Sequence, residues 1–178
     1  LSGLINKRLV RLFQSAGLNA VGLSGSDGRI FTGRPVSDGS RTGEVAGVEA
    51  ALLRTLLDGG YFPVLCSTSM GDDGLGLNIN ADSAALAVAA ALRARTLVFL
   101  SDIPGVLKGG RVLERLTAEQ ARAEIAAATI TGGMVAKVRA CLGALEGGVE
   151  AIVIGEYRGR GSVQALQSGS RGTRIVQA

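Results

Sequence analysis

The sequence predicts an α/β fold in which helices cover both faces of a parallel sheet. Two observations carry this prediction: the predicted strands are apolar throughout, and helical segments separate them along the chain. Continuous apolar strands are typical of parallel sheets that are buried on both faces. The 178 residues are 47% hydrophobic, which suffices for a buried core and argues against intrinsic disorder.

The first third of the chain alternates between helical and extended patterns. Residues 2–16 place Leu4, Ile5, Leu9, Leu12 and Phe13 on one helical face, and Gly17 ends that helix. The following predicted elements are a strand at 20–23, a hairpin arm at 29–33, a helix at 48–57 and a buried strand at 61–66. The polar stretch 35–43 predicts a mobile loop, and 67–76 a second loop.

The rest of the chain repeats the helix and strand alternation. The predicted helices are 82–94, 118–127, 133–145 and 163–167, and the predicted strands are 96–100, 151–154 and 173–176. Ligands of parallel sheets gather beyond the carboxyl ends of the strands. This rule points to the loops 24–28, 67–80 and 101–108 and to the helix start at 129–133.

Composition excludes several classes of function. The chain has no His, which removes Ser-His-Asp and Cys-His nucleophiles and most zinc sites within it. No Lys is followed by Ser or Thr, so there is no Walker A loop. Scattered basic residues, a net charge of +4 and few aromatic residues argue against a nucleic-acid partner, and no long apolar window indicates a membrane span. Two distant cysteines in apolar surroundings are typical of a reduced, cytoplasmic protein.

Two amides and a carboxylate, Asn78, Asn80 and Asp82, precede and open the helix predicted at 82–94. Asn and Asp are favoured at helix N-termini, so this group could serve only as a cap. The alternative is a binding site at the end of a strand. There the amides would hold a carboxylate substrate, while Asp82 would orient lysines.

Two further segments have the composition of phosphate-binding elements. Residues 101–107 form either a Pro-Gly turn or a loop that passes over a nucleotide. The glycines of 129–137 would let backbone N–H groups approach an anion at a helix start. Lys137 would lie one turn further on, where it either neutralises a transferring phosphoryl group or is simply solvated.

Seven short motifs, taken in order, resemble the amino acid kinase family over nearly the whole chain. They are Asn6–Lys7, Val21–Gly28, Gly60–Val64, Asn78–Asp82, Ser101–Val106, Ile130–Lys137 and Gly172–Ile175. The resemblance is greatest to the members that act in arginine biosynthesis. It implies an open, mainly parallel, three-layer αβα sandwich, with residues from about 1–75 in an amino-acid-binding half and about 76–178 in an ATP-binding half.

The resemblance also implies an activity and a set of site residues. The activity is transfer of the γ-phosphoryl group of MgATP to the side-chain carboxylate of N-acetyl-L-glutamate, by a cytoplasmic homodimer with no resident metal. Asn78 and Asn80 would contact the substrate, and Asp82 and Lys137 would be catalytic. The implied ATP-binding residues are Ser101, Asp102, Ile103, Pro104, Gly105, Val106, Leu107, Thr129, Ile130, Thr131 and Gly133.

The sequence departs from the family pattern at its beginning. The family starts with a strand ending in Lys-Gly-Gly, whose lysine is a second catalytic cation, and it has an arginine for the substrate's α-carboxylate. Neither motif is present here, so we expect the amino-terminal part of the domain to lie upstream of Leu1. Two alternatives stay open: a kinase that acts on aminoadipate linked to a carrier protein, and a catalytically silent amino-acid-binding subunit.

Overall fold

The computed structural model describes residues 1–178 and divides them into two compact units, Leu1–Leu92 and Arg93–Ala178. Both units are mixed α/β structures with parallel strand pairs, as the sequence predicts. The two functional halves that the resemblance implies, about 1–75 and about 76–178, remain a prediction.

Besides a 3₁₀ turn at Asp27–Arg29, the first unit contains three α-helices and six strands. They are α1 (Leu4–Ser15), β1 (Ala20–Ser24), β2 (Phe31–Pro35), β3 (Thr42–Val48), α2 (Ala51–Asp58), β4 (Phe62–Cys66), β5 (Thr68–Met70), β6 (Gly76–Ile79) and α3 (Ala81–Leu92). Strands β1 and β4 pair in parallel. The other four form a sheet in the order β2-β3-β6-β5, in which only β3 and β6 are parallel.

Strands β3, β5 and β6 correct the sequence prediction, which missed β3 and placed loops at 35–43 and 67–76. In β3 the glycines 43 and 47 weaken the period-two pattern, and β5 and β6 are too short to show one. The hairpins β2/β3 and β5/β6 are antiparallel, and they form a sheet separate from the parallel pair β1/β4. The helix predicted at 48–57 begins only at Ala51, because β3 extends to Val48.

The core of the first unit lies where the four-stranded sheet meets α2 and α3. Its buried residues are Ile30, Phe31, Leu53, Leu77, Ile79 and Ala84. Alternate residues of β6 point into this core, since Leu77 and Ile79 are each 2% exposed while Asn78 is exposed. This alternation places the Asn78 side chain on the face of the sheet opposite to the core.

Helix α1 buries a polar residue and exposes most of its apolar face. Asn6 is 2% exposed, and its amide Nδ2 donates hydrogen bonds to the carbonyls of Val64 at 2.7 Å and Leu23 at 3.2 Å. Lys7 Nζ donates to the Gly22 carbonyl at 2.7 Å. A side chain at residue 22 would collide with Asn6, so the glycine there permits the helix to approach β1. By contrast, four apolar residues of the helix are largely exposed: Leu4, Ile5, Leu9 and Leu12.

The second unit contains β7 (Thr96–Ser101), β8 (Leu107–Lys108), β9 (Arg111–Val112), β10 (Arg115–Thr117), α4 (Ala118–Ala126), α5 (Gly133–Glu146), β11 (Ala151–Glu156), α6 (Ser162–Ser168) and β12 (Thr173–Val176). Its main sheet has the order β10-β12-β11-β7, and β12 runs antiparallel to β11. The neighbouring pairs β7/β11 and β10/β12 are parallel. The sequence analysis missed the short strands β8 to β10 and predicted every other element here to within a few residues.

Candidate functional site

A shallow groove of about 440 Å³ opens on the first unit near the ends of several strands. Its lining residues are Ser2, Ser24, Ser26, Arg41, Thr68, Ser69, Gly76, Leu77 and Asn78. Asn78 is one of the predicted substrate-binding residues, and Ser24 and Ser26 belong to the predicted glycine-rich turn. Hydroxyls, an amide and one guanidinium make this groove suitable for a small polar anion.

The glycine-rich turn after β1 is held in shape by Asp27. One oxygen of its carboxylate, Oδ2, accepts hydrogen bonds from the Ser24 amide N–H at 2.7 Å and from the Ser24 hydroxyl at 2.9 Å. The amide of Gly25 donates to the Thr68 carbonyl at 2.8 Å, which ties the turn to β5. These bonds fix one wall of the groove.

Asn80 performs the capping role that the sequence analysis gave as one alternative. Its side-chain oxygen accepts hydrogen bonds from the Ser83 amide N–H at 3.0 Å and from the Ser83 hydroxyl at 3.3 Å. Asp82 is half-buried in the first turn of α3, where a negative charge is favoured by the helix dipole. Substrate contacts of Asn78 and Asn80 and catalysis by Asp82 remain predictions.

In the second unit, the two segments predicted to bind ATP meet around a cleft of about 220 Å³. The cleft is lined by Ile103, Gly105, Val106, Leu107, Thr129, Ile130, Thr131 and Met134. Seven of the eleven predicted ATP-binding residues are in this set. The mixture of apolar side chains, threonines and a glycine backbone fits a nucleotide, whose base is apolar and whose ribose and phosphates are polar.

Four predicted ATP-binding residues lie outside that lining. Ser101 ends β7, and its hydroxyl donates to Asp102 Oδ1 at 3.1 Å. Pro104 instead borders a neighbouring cavity of about 250 Å³, next to Glu156, Arg158 and Arg171. Gly133, the fourth, begins α5.

The loop after β7 is anchored by the last strand of the unit. The Val106 amide donates to the Thr173 hydroxyl at 2.8 Å, and the Leu113 amide donates to the Val106 carbonyl at 2.8 Å. Gly105 has φ +151°, and a Cβ there would lie 2.6 Å from Thr173 Oγ1. Only glycine therefore fits this point of the cleft wall.

The second segment leads into α5 and Lys137. Gly132, at the N-terminal boundary of the helix, has φ +58°, and no side chain caps the first turn. Lys137 lies in the second turn, half-buried, with its ammonium nitrogen 5.2 Å from the ring centroid of the buried Phe99 on β7. The aromatic face restrains the cation near the start of the helix, where positive potential is greatest.

One carboxylate beside this cleft has a shifted pKa. The Lys108 ammonium, which donates to Glu124 Oε1, and the nearby Thr129 side chain hold the pKa of Glu124 below its usual value of 4.5. Thr129 itself lines the cleft. Glu124 is thus linked to a residue of the candidate site.

The sequence analysis did not single out one charged residue of the first unit's groove, Arg41. It belongs to none of the seven motifs and lies in a segment that was predicted to be a loop. Only the position of Arg41 just before a strand could have drawn attention to it, and that strand was not predicted.

Two mixed α/β units with parallel strand pairs, and with loops that form a groove and a cleft, define an α/β protein. The chain belongs to the amino acid kinase family, whose model matches residues 1–155. It is 42% identical over 156 residues to acetylglutamate kinase from Geobacillus kaustophilus, an alignment that covers 86% of this chain and 60% of that protein. It is also 42% identical over 179 residues to acetylglutamate kinase from Methanopyrus kandleri, covering 92% of this chain and 73% of that one.

A solved structure supports the same fold assignment. N-acetylglutamate synthase from Neisseria gonorrhoeae, complexed with coenzyme A and N-acetyl-glutamate, matches with a TM-score of 0.85 and 26% identity. The match covers 99% of this chain and 42% of the synthase chain. The present chain thus spans about 60% of the length of its Geobacillus relative and less than half of the synthase. None of its helices combines the length and apolar character required to cross a membrane.

Proposed function

We propose that the protein containing this chain is an acetylglutamate kinase, which transfers the γ-phosphoryl group of ATP to the side-chain carboxylate of N-acetyl-L-glutamate. The observation that carries the proposal is the cleft of the second unit, where the loops 103–107 and 129–131 come together. Identity of about 42% to proteins named acetylglutamate kinase supports the choice of acceptor.

In this proposal the two units have different tasks. Asn78 and Asn80 lie at the end of β6 and bind the amino acid, while the cleft of the second unit binds the nucleotide together with its Mg²⁺. Asp82 is the half-buried carboxylate of the first unit that organises catalytic cations.

Lys137 supplies positive charge to the transferring group. Phosphoryl transfer to a carboxylate brings two anions together through a loose transition state, so catalysis depends on positioning and on cations. The reaction needs no His, and the chain contains none.

The product, an acyl phosphate, would be the second intermediate of arginine biosynthesis. We further propose a cytoplasmic homodimer, following the resemblance to the family. Light scattering coupled to size-exclusion chromatography would measure the oligomeric state, and a monomeric mass would contradict the dimer.

The test is to incubate the full-length protein with MgATP, N-acetyl-L-glutamate and hydroxylamine, which converts an acyl phosphate to a coloured hydroxamate. Hydroxamate that requires both substrates and accumulates at an enzymatic rate would support the proposal. No product, combined with phosphorylation of carrier-linked aminoadipate, would replace it with the related lysine-biosynthetic activity. Binding of the amino acid without any turnover would favour a regulatory subunit.

A further inference from the structure

We propose that the second unit carries a binding site for inorganic phosphate, separate from the cleft that would hold the nucleotide. The site is an open cavity of about 450 Å³, lined by Arg95, Thr96, Glu150, Gln167 and Arg174. Two guanidiniums, a hydroxyl and a carboxamide supply hydrogen-bond donors for an oxyanion, and the carboxylate supplies an acceptor. None of these five residues is among the site residues of the proposed kinase, so this inference does not depend on that activity.

The backbone holds Arg95 and Glu150 side by side at the start of two neighbouring strands. Strands β7 and β11 are parallel, with Thr96 opposite Ala151, so the residues just before them are also neighbours. The Ala151 amide donates to the Arg95 carbonyl at 3.1 Å, and the Glu150 amide donates to the Ala94 carbonyl at 3.2 Å. Both charged side chains therefore start from backbone positions that the sheet fixes.

Arg174 contributes the second guanidinium from strand β12, between β10 and β11. It is half-buried, and its register partners are Arg115 on β10 and Val153 on β11. Two arginines thus lie side by side on one face of the sheet, and like charges in directly opposite positions destabilise a sheet. The ion pairs of this unit involve other residues, so no carboxylate neutralises Arg95, Arg115 or Arg174. A bound anion would supply the counter-charge that these guanidiniums lack.

Glu150 determines which oxyanion fits the cavity. Its carboxylate lines the same space without forming an ion pair to either arginine. Sulfate has no proton at neutral pH, so it can only be repelled by this carboxylate. Inorganic phosphate keeps at least one proton, and its P–OH group can donate a hydrogen bond to Glu150 while its other oxygens accept from the guanidiniums. The combination of donors with one acceptor therefore favours phosphate over sulfate.

The cavity is remote from the loop that would bind the nucleotide. Thr96 begins β7 and Ser101 ends it, so these two residues are roughly 17 Å apart at the rise of about 3.3 Å per residue of a parallel strand. Phosphate bound at the start of β7 would not compete with the phosphates of ATP beyond its end. The nearest link between the two places is β12, in which Arg174 follows Thr173, the residue that anchors the loop at Val106.

The test measures anion binding to the full-length protein by isothermal titration calorimetry. Titrations with inorganic phosphate and with sulfate are made at neutral pH and constant ionic strength, with saturating MgADP present to fill the nucleotide cleft. We expect phosphate to bind at least about tenfold more tightly than sulfate, the usual effect of gaining one hydrogen bond to a charged group.

Four variants locate the binding and separate the roles of the lining residues. Arg95→Gln and Arg174→Gln should each weaken phosphate binding about tenfold or more, because each removes a charged donor. Glu150→Gln should tighten sulfate binding and bring the ratio of the two affinities to about one. Arg111→Gln removes an exposed arginine on β9 that does not line the cavity, and it should leave both affinities unchanged. Thermal unfolding of each variant without added anion would verify that it folds.

The outcomes decide both the site and its occupant. Phosphate binding that is unchanged in Arg95→Gln and Arg174→Gln would overturn the site, and equal wild-type affinities for phosphate and sulfate would overturn the role of Glu150. Methyl phosphate, a monoester that is mostly unprotonated at neutral pH, is the third probe. Tighter binding of this monoester than of free phosphate would assign the site to a phosphorylated metabolite and overturn the choice of inorganic phosphate. These measurements need no turnover, so their result is independent of the hydroxamate assay.

Discussion

Lys108 and Glu124 join strand β8 to helix α4, with 2.5 Å between the lysine Nζ and the glutamate Oε1. Each residue neighbours a different segment of the proposed nucleotide cleft: Lys108 follows Leu107, and the Glu124 backbone carbonyl accepts the Thr129 amide N–H at 3.0 Å. The pair therefore connects the two walls of the cleft through side chains that do not line it. Mutations here should change the stability of the cleft without removing a proposed ligand contact.

The first prediction concerns pH and Glu124. Since the folded-state pKa of Glu124 is lowered, its stabilisation is complete above the usual value of 4.5 and is lost as the pH falls through the folded-state value. The difference in Tm between wild type and Glu124→Gln should therefore be largest near neutral pH and shrink below pH 4.5. Glu150→Gln, an exposed control, should show no such trend. A Tm difference for Glu124→Gln that is constant with pH would contradict the prediction.

The second prediction concerns Lys137. Replacing it by Ala should lower kcat about 100- to 1,000-fold, as loss of one group that stabilises transition-state charge typically does. Circular dichroism should show unchanged secondary structure and only a small fall in Tm, because the contact with Phe99 contributes about 1 kcal/mol. Arg139→Ala, on an exposed position of the same helix, is the control. Normal turnover in the Lys137 variant would refute its role.

The third prediction separates the two substrates. Asn78→Ala should raise the KM for N-acetyl-L-glutamate about tenfold, the effect of one hydrogen bond to a charged group. The KM for ATP should change little, since the nucleotide cleft is built from residues 103–134. Steady-state hydroxamate assays with each substrate varied in turn would measure both constants. An equal rise in the two KM values would count against Asn78 as an acceptor ligand.

The fourth prediction concerns the wall of the cleft at Gly105. An alanine there would bring Cβ to 2.6 Å from Thr173 Oγ1, so the hydrogen bond from Val106 to Thr173 must be displaced. We expect Gly105→Ala to cost about 1–3 kcal/mol of unfolding free energy and to raise the KM for ATP. Gly110→Ala is the matched control, because Gly110 also has a positive φ of +78° but open space around it. Equal destabilisation by both variants would show that backbone strain alone is responsible.

The fifth prediction concerns Asn6. Asn6→Leu removes the two hydrogen bonds from the buried amide to the Val64 and Leu23 carbonyls, which should destabilise the protein by about 2–4 kcal/mol. Urea unfolding would measure the change, and Arg8→Ala, on an exposed position of α1, is the control. An Asn6→Leu variant as stable as wild type would mean that water or a neighbour replaces the amide.

The sequence was a good guide wherever local pattern decides structure. The apolar run 151–154 predicts a buried strand and lies in β11 (Ala151–Glu156), and α5 begins at the predicted Gly133. The motifs also predicted that the segments 101–107 and 129–133 bind a nucleotide, and the structure brings residues 103–107 and 129–131 together in one cleft.

Features that depend on contacts between residues far apart in the sequence could not be predicted from local patterns. Strand β3 has a weak pattern of its own and is stabilised by β2 on one side and β6 on the other. That pairing brings Arg41 beside Asn78, so its place in the lining of the groove could not be predicted from the sequence. Asn6 drew attention only as part of the Asn6–Lys7 motif, and its burial could not be predicted because its hydrogen-bond partners lie 17 and 58 residues away.

The central position of β12 has a consequence for biosynthesis. This strand, at 173–176, lies between β10 and β11, and its Thr173 hydroxyl accepts the hydrogen bond that anchors the loop at Val106. A nascent chain that has emerged from the ribosome only as far as β11 has a gap in this sheet and an unanchored loop. Proteins generally fold domain by domain during synthesis, from the amino terminus. The cleft of the second unit can therefore close only after the β12 segment has left the exit tunnel, and until then chaperones can recognise the open strand edges.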